Sequence, residues 1–555
     1  MVVVCPEVDV QPEMQPEELE MILSTVGRFA ERRLGEAALK ALDHEERCPL
    51  ELLRELLGPE IGLHLAFVPV AYGGLGGGAR AVFRICEAVG RVDLGIATSL
   101  LGVALGSDPI LVGGTEEQRV RWMGRVASEG MLVAYAVTEP GAGSDLGAIR
   151  TRAEPVREGE RVVAYRLSGS KQFITNGAIA DLYTVLAVAP GGPSFFVLER
   201  GAPGLVAGPA EVKHGIRASN TTSLTLDDVR VPAEQLLGGV EGQGLAQAQA
   251  VFGYTRVMVA AFGLAGGSAA LERAVAYGRD RVADGSALIA KQAWTHKLIV
   301  PHAVALEAAR AHIEALCDRL DAGEQELQVD GAVAKLMATE AGNAAAEAAI
   351  QAHGGYGYLR DYMVEKLKRD VRITCIYEGT SEILQRTVAR DRWRLHLMSA
   401  GRHHARLAEE LSALERAQPG CGAAQAADAC RIVGETLEIC RQARLTRHQH
   451  VLFALGLTLA RVEVAAAFAR KAARGLPDTS RLDAGCLQAM SRLWARRVAQ
   501  QTADDALEIV FGADALQASA LQEFEGRLQL PHVHAGLGGQ LQDLDRVART
   551  LAERA

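Results

Sequence analysis

Ala134-Tyr-Ala-Val-Thr-Glu-Pro-Gly-Ala-Gly-Ser-Asp145, or AYAVTEPGAGSD, begins as a strand and ends in a glycine-rich turn. Its strand residues Tyr135, Val137 and Thr138 offer backbone N–H and C=O groups and a hydroxyl, suited to the edge of a planar heterocycle. Gly141, Gly143 and Ser144 then let the backbone bend around a phosphate or a ligand chain. Taken alone, the same residues also make an ordinary β-turn. Further on, SGSKQFITNG (Ser168–Gly177) repeats the design, with Phe173, Ile174 and Thr175 leading into an Asn-Gly turn. A bulky ring beside a hydroxyl fits a stacked, hydrogen-bonded ring system. Together the two segments are a stronger signal than either one.

Outward from them, residues 131–242 carry short alternating runs such as Val162–Leu167, Tyr183–Val188, Ser194–Leu198 and Ser223–Leu226, broken by Gly, Pro and Asn. No helical pattern separates the runs, so they predict an antiparallel β domain rather than a βαβ array. Residues 1–130 are helical in pattern instead, with Leu19, Ile22, Leu23, Val26 and Phe29 at three-to-four spacing. Residues 243–400 are helical again and Ala-rich. AQPGCGAAQ (417–425) breaks that pattern before a last helical block, 417–555, with an amphipathic span around Val451–Ala473. The fold class is therefore mainly α with a middle antiparallel β domain. Gly74-Leu-Gly-Gly-Gly-Ala79 loosely matches a dinucleotide fingerprint, but helices rather than alternating strands surround it, so it reads as a helix-connecting turn.

Composition narrows the function classes. A formal net charge of −9 excludes the basic footprint of a general nucleic-acid binder. The nine cysteines are scattered, with no CxxC pair and no Cys/His cluster at metal spacing, so reduced thiols, no metal site and a cytoplasmic location are expected. The acidic N-terminus has no basic region of a targeting peptide. No apolar run is read as reaching the roughly 20 residues of a membrane span.

Ile373–Gln385, ITCIYEGTSEILQ, delivers a carboxylate, Glu378, from an apolar run onto Gly379. One reading is a helix N-terminus, with Thr380 or Ser381 as cap and Glu378 solvated. The other is a base in a water-poor pocket formed by Ile373, Ile376 and Tyr377, with Gly379 letting a substrate approach the backbone.

YAVTEPGAGSD, QFITNG, QAHGGYGY (Gln351–Tyr358) and CIYEGTSEI, in this order, resemble the acyl-CoA dehydrogenase family over roughly residues 15–396. The resemblance implies an α domain, a β-barrel domain and a four-helix domain. It also implies FAD as cofactor, an acyl-CoA substrate, an electron-transfer flavoprotein as acceptor, and a homodimer or dimer of dimers. It places the flavin ring against Tyr135, Val137, Thr138, Gly143, Phe173, Ile174 and Thr175, and puts Ser144 beside cofactor and substrate. Arg281, Gln292, Gln351, Gly354 and Gly355 would hold the adenosine and pyrophosphate half of FAD from the partner subunit, and Thr380 and Ser381 would flank it. Tyr254, Arg256 and Gly379 would meet the substrate. Asp284 stands where phenylalanine is frequent, and Gly253 where an aspartate often binds CoA. Residues 417–555 resemble the added helical domain of very-long-chain members, as a dimer brace, a membrane-surface attachment, or extra helices on the core.

Within that resemblance Glu378 becomes the general base. Abstracting a weakly acidic Cα proton needs a strong base, and desolvation strengthens a carboxylate. The alternative base position of some members corresponds to Thr255, which cannot serve. An acyl-carrier-protein-bound substrate, a specialised acyl group (branched, dicarboxylic or aromatic) and an oxygen-using oxidase of the same fold stay open. The helix matching Val92–Leu105 presents Gly95, Ala97, Thr98 and Leu101, read as an open acyl-cavity floor favouring medium to long straight chains.

Overall fold

Alternation in the middle of the chain yields seven strands: β1 (Val133–Ala136), β2 (Arg152–Glu158), β3 (Arg161–Thr175), β4 (Leu182–Ala189), β5 (Gly192–Glu199), β6 (Leu205–Ala210) and β7 (Thr221–Pro232). A computed structural model of the protein describes residues 14–475 and 482–554. The strands form one sheet in the order β1-β4-β2-β3-β7-β6, with β5 also paired to β4. Most pairings are antiparallel, as the alternation predicts. Two are not: β1 runs parallel to β4, Val133 opposite Leu182, and β2 meets the same strand in parallel at Arg152 opposite Val188. The long β2–β3 hairpin carries the chain back toward the start of β1, and the turn after β3 restores the direction, so the crossover that a parallel pair needs is made without a helix.

Contacts divide the chain into two units, Met1–Ala265 with Cys317–Gln328 and Arg369–Ile373, and Gly266–Leu316 with Val329–Lys368 and Thr374–Ala555. In the first, Leu167, Tyr183, Phe196 and Val229 form the sheet's core. Helix Leu94–Gly113 packs on β1 so closely that a Cβ on Gly106 would lie 2.6 Å from Val133. The glycine turn at 74–77 is a packing device. A side chain on Gly74 would meet the Val68 carbonyl at 1.9 Å, and the segment leads into helix Ala79–Val92.

The second unit is helical. Helix Gln328–His353 and helix Ser381–Met398 are followed by Arg402–Ala417, Ala423–Gln442, Gln449–Arg474, Ala484–Gly512 and Gln540–Arg554, with shorter helices between the last two. The break at 417–425 is built by Gly420 and Gly422, both left-handed at φ 83° and 86°, and by Glu415. The Glu415 carboxylate accepts from the backbone N–H groups of Gly420, Ala423 and Ala424 and so caps the next helix. Helix Gln449–Arg474, expected to be amphipathic, is instead enclosed by helices Ser381–Met398, Ala423–Gln442 and Ala484–Gly512. Gly456 makes this possible, since a Cβ there would sit 2.0 Å from the Gln385 carbonyl oxygen.

Helices Leu94–Gly113, Gly244–Asp280 and Gln449–Arg474 are long and apolar enough to cross a membrane, contrary to the sequence reading. Their most apolar windows are 83%, 93% and 72% buried within the protein, so core packing accounts for their hydropathy. Eight cysteines are free thiols, seven of them buried; Cys5 lies outside the described residues.

Candidate active site

The two glycine-rich segments meet on the sheet. Gln172 N–H donates to the Thr138 carbonyl at 2.9 Å, tying the end of β3 to the strand exit after β1. The pairing of β3 with β7 is irregular between Lys171 and Ile174, and Phe173 adopts φ 58° there. A bulge with a left-handed phenylalanine turns the ring outward, and Phe173 is 65% exposed. Thr138 and Thr175 are half-buried, Val137 and Ile174 buried, and Gly143 and Ser144 exposed. Tyr135 is half-buried with its ring 5.8 Å from Phe195. Neither Gly141 nor Gly143 needs a positive φ; both leave open space where a side chain would stand.

Behind this surface lies a buried ion pair that sequence reasoning missed. Lys171 Nζ reaches Glu139 Oε1 at 2.8 Å and the Val137 carbonyl at 3.1 Å. Glu139 also accepts from the N–H groups of Arg150 and Thr151 and from the Thr151 hydroxyl. Nothing local marked it, since Lys171 stands between Ser170 and Gln172 and Glu139 between Thr138 and Pro140. Asn176, at φ 62°, donates to the carbonyls of Ser99 and Val133 and anchors the turn.

Glu378 and Gly379 are consecutive left-handed residues, φ 55° and 95°. That conformation is uncommon for a glutamate and is held by the residues around it. Lys335, fully buried on helix Gln328–His353, donates from Nζ to the Gly379 carbonyl at 2.7 Å. Thr380 caps helix Ser381–Met398 by accepting from Ile383 N–H at 3.3 Å. The capping feature is therefore present, one residue beyond the Glu378–Gly379 pair. Ser381 is buried and donates its hydroxyl to Glu340 on helix Gln328–His353. Tyr377 and Glu378 are half-buried; Ile376, expected to line a dry pocket, is 46% exposed.

A cleft of about 540 Å³ gathers Arg281, Gln351, Gly354 and Gly355, with Tyr277, Leu288, Trp294 and Tyr356 as apolar walls. Gly354 and Gly355 again leave open space, and Arg281 brings a cation to the rim. Asp284 and Gly285 are both left-handed, at φ 47° and 77°, between the strand pair Val282–Ala283 and Ser286–Ala287. Asp-Gly is the favoured pair for such a turn, which accounts for the aspartate beside Arg281. The Gln292 amide donates to Asp545 at 2.7 Å. Arg256 bonds the Gln328 carbonyl at 3.0 Å, and buried Thr255 the Val251 carbonyl. The side chains of Gly253 and Tyr254 lie outside the described residues.

Three profiles match the chain: the acyl-CoA dehydrogenase N-terminal domain over 16–130, the middle domain over 134–229 and the C-terminal domain over 242–392. An acyl-CoA dehydrogenase of Bacillus subtilis (strain 168) is 37% identical over 373 residues, spanning 66% of this chain and 96% of its own. The chain belongs to the acyl-CoA dehydrogenase family. A cyclohex-1-ene-1-carbonyl-CoA dehydrogenase of Geobacter metallireducens is likewise 37% identical over 380 residues, 67% of this chain and 97% of its own. The solved acyl-CoA dehydrogenase of Bacillus anthracis, complexed with FAD, matches with a TM-score of 0.84 at 25% identity, covering 99% of this chain and 98% of that one. The helical region beyond residue 400 is thus shared with that structure, although the family profiles end at 392. This dehydrogenase is an oxidoreductase acting on acyl-CoA with FAD as cofactor. The residues present suit that cofactor: an exposed Phe173 ring beside polar strand edges, and an open glycine cradle with an arginine at its rim.

Proposed function

We propose that the enzyme oxidises the Cα–Cβ bond of an acyl-CoA thioester to the trans-2-enoyl-CoA, with Glu378 as the base. The observation that carries this reading is the Glu378–Gly379 loop, two left-handed residues held by a buried lysine directly before a capped helix. FAD, when bound, supplies the hydride acceptor. Glu378 takes the Cα proton. The backbone N–H of Glu378 is suited to polarise the thioester carbonyl, because Gly379 leaves room for close approach. Arg281, Gln351, Gly354 and Gly355 hold the adenosine and pyrophosphate half of FAD, contributed across a homodimer. An electron-transfer flavoprotein is the proposed acceptor.

Anaerobic addition of acyl-CoA to the FAD-loaded enzyme tests this. The oxidised flavin absorbance is expected to bleach, and the product to be the 2-enoyl thioester. A flavin that stays oxidised with every acyl-CoA offered would overturn the reading. Rapid reoxidation by air alone would favour an oxidase.

An alicyclic acyl group is the second substrate reading, favoured by the Geobacter relative that acts on cyclohex-1-ene-1-carbonyl-CoA. The packing of helix Leu94–Gly113 supports a compact acyl group as well. Ala97, Thr98 and Leu101 are 2%, 2% and 4% exposed, and Gly95 packs against Ala218. The Thr98 hydroxyl is bonded to the Leu94 carbonyl.

A further inference from the structure

The last helix of the chain, Gln540–Arg554, is fastened to the segment that forms one wall of the Arg281 cleft. Asp545 Oδ1 accepts from Gln292 Nε2 at 2.7 Å and meets His296 Nε2 at 3.0 Å. Two turns further on, the Ala552 carbonyl accepts from the Arg279 guanidinium. All three partners are close in sequence to residues that line the cleft. Arg279 stands two residues before Arg281. Gln292 and His296 lie on the short helix Gln292–Leu298, which also carries Trp294.

Trp294 transmits the fastening. It lines the cleft, is 9% exposed, and donates from Nε1 to the Ala352 carbonyl at 3.2 Å, two residues before Gly354. Its ring also fills the space above Gly278, where a Cβ would approach to 2.4 Å, so this contact fixes the end of helix Gly244–Asp280 that leads to Arg281. Asp545 thus holds one helix, and the tryptophan on that helix holds both the glycine cradle and the arginine's support. A site whose walls are already ordered loses less entropy when it takes up a flexible dinucleotide.

We propose that the C-terminal helix is a strap that preorganises the FAD half-site, with Asp545 as its positioning residue. The proposal rests on the reading of the cleft as the site of the adenosine and pyrophosphate half. It gives the helices beyond the family-wide core, which ends at residue 392, a role in cofactor retention. It also accounts for Gln292, whose amide is committed to Asp545.

Binding of ADP and of FAD to the full-length apoprotein, measured by titration calorimetry, tests it. Asp545→Ala and Gln292→Leu are each expected to weaken both ligands by about five- to tenfold, the scale of coupling carried through packed elements. Asp545→Asn keeps the Oδ1 acceptor, so it is expected to restore wild-type affinity, which a general loss of stability would not produce. Unchanged ADP affinity in both Asp545→Ala and Gln292→Leu would overturn the strap. Failure of the wild-type apoprotein to bind either ligand would overturn the reading of the cleft instead.

Discussion

Lys335 and Gly379 are joined by a 2.7 Å hydrogen bond from a fully buried ammonium to a backbone carbonyl. The bond fixes the residue directly after Glu378, in a stretch where both φ angles are left-handed. Hydrogen bonds from charged groups are the stronger kind, contributing about 1.5–3 kcal/mol. Lys335→Met should therefore let the loop relax and misplace the base while leaving the Arg281 cleft intact. Turnover is expected to fall by about 10²-fold, the cost of a misplacement near 1 Å, with FAD affinity unchanged. Steady-state kinetics beside FAD titration checks this; parallel losses in both would show a structural collapse instead.

Glu378→Gln is the more direct substitution. The amide is nearly isosteric but cannot accept the proton. Flavin reduction in anaerobic stopped-flow should slow by about 10²–10⁴-fold, with FAD still bound. Reduction at the wild-type rate would assign the base to another residue.

The buried Lys171–Glu139 pair should matter to stability. Side-chain exposures of 0% and 7% mean that removing one partner strands a charge, a loss of about 3–5 kcal/mol. Lys171→Met is expected to lower the denaturation midpoint accordingly. Burial works to raise the Glu139 carboxyl, but Lys171, Thr151 and the Arg150 and Thr151 N–H groups outweigh it and hold it below the ordinary 4.5. A carboxyl depressed in the folded state contributes stability above its unfolded value and loses it as pH falls through the folded one. The wild type should thus lose stability below about pH 4.5 more steeply than Lys171→Met, as urea titrations at several pH values would show.

Acid should also loosen the helices beyond residue 400. Burial, with His403, His396 and Arg392 nearby, pushes His404 down to about 3 from 6.5. The unfolded chain then binds a proton that the folded chain refuses, so stability falls as pH drops below 6.5. Thermal melts at pH 7 and pH 5 should differ less in His404→Phe than in the wild type; equal losses in both would place the acid sensitivity elsewhere.

What could be read from sequence follows how local each signal is. Val162–Leu167 and Tyr183–Val188 announced β3 and β4 because alternation is a property of neighbours in the chain. The four motifs carried Phe173, Glu378 and Gly354–Gly355 because their glycines and turns are contiguous. The parallel β1–β4 pairing was hidden, as nothing in either strand encodes direction. Helix Gln449–Arg474 looked amphipathic because its own sequence cannot show how many neighbours enclose it. The Gln292–Asp545 bond was hidden for a related reason: the two residues lie 253 apart in the chain. Lys171 and Lys335 were overlooked because a lone lysine is ordinarily solvated, and only the fold reveals that both are buried.

Acyl preference turns on helix Leu94–Gly113. An open floor beside it would gain about 0.8 kcal/mol for each buried methylene, so that longer chains would bind progressively better. The side chains that would form such a floor are packed instead. A Cβ on Gly102 would lie 2.6 Å from the Asn176 amide nitrogen, and Leu101 and Ala97 are within the core. Extending the cavity past them would require displacing a buried polar anchor, since Asn176 also bonds Ser99 and Val133. Compact acyl groups are therefore expected to be preferred, with kcat/KM higher for C4, C8 and cyclohex-1-ene-1-carbonyl-CoA than for C16. A rise in kcat/KM through C12 to C16 would show that the acyl chain takes a path that avoids this helix.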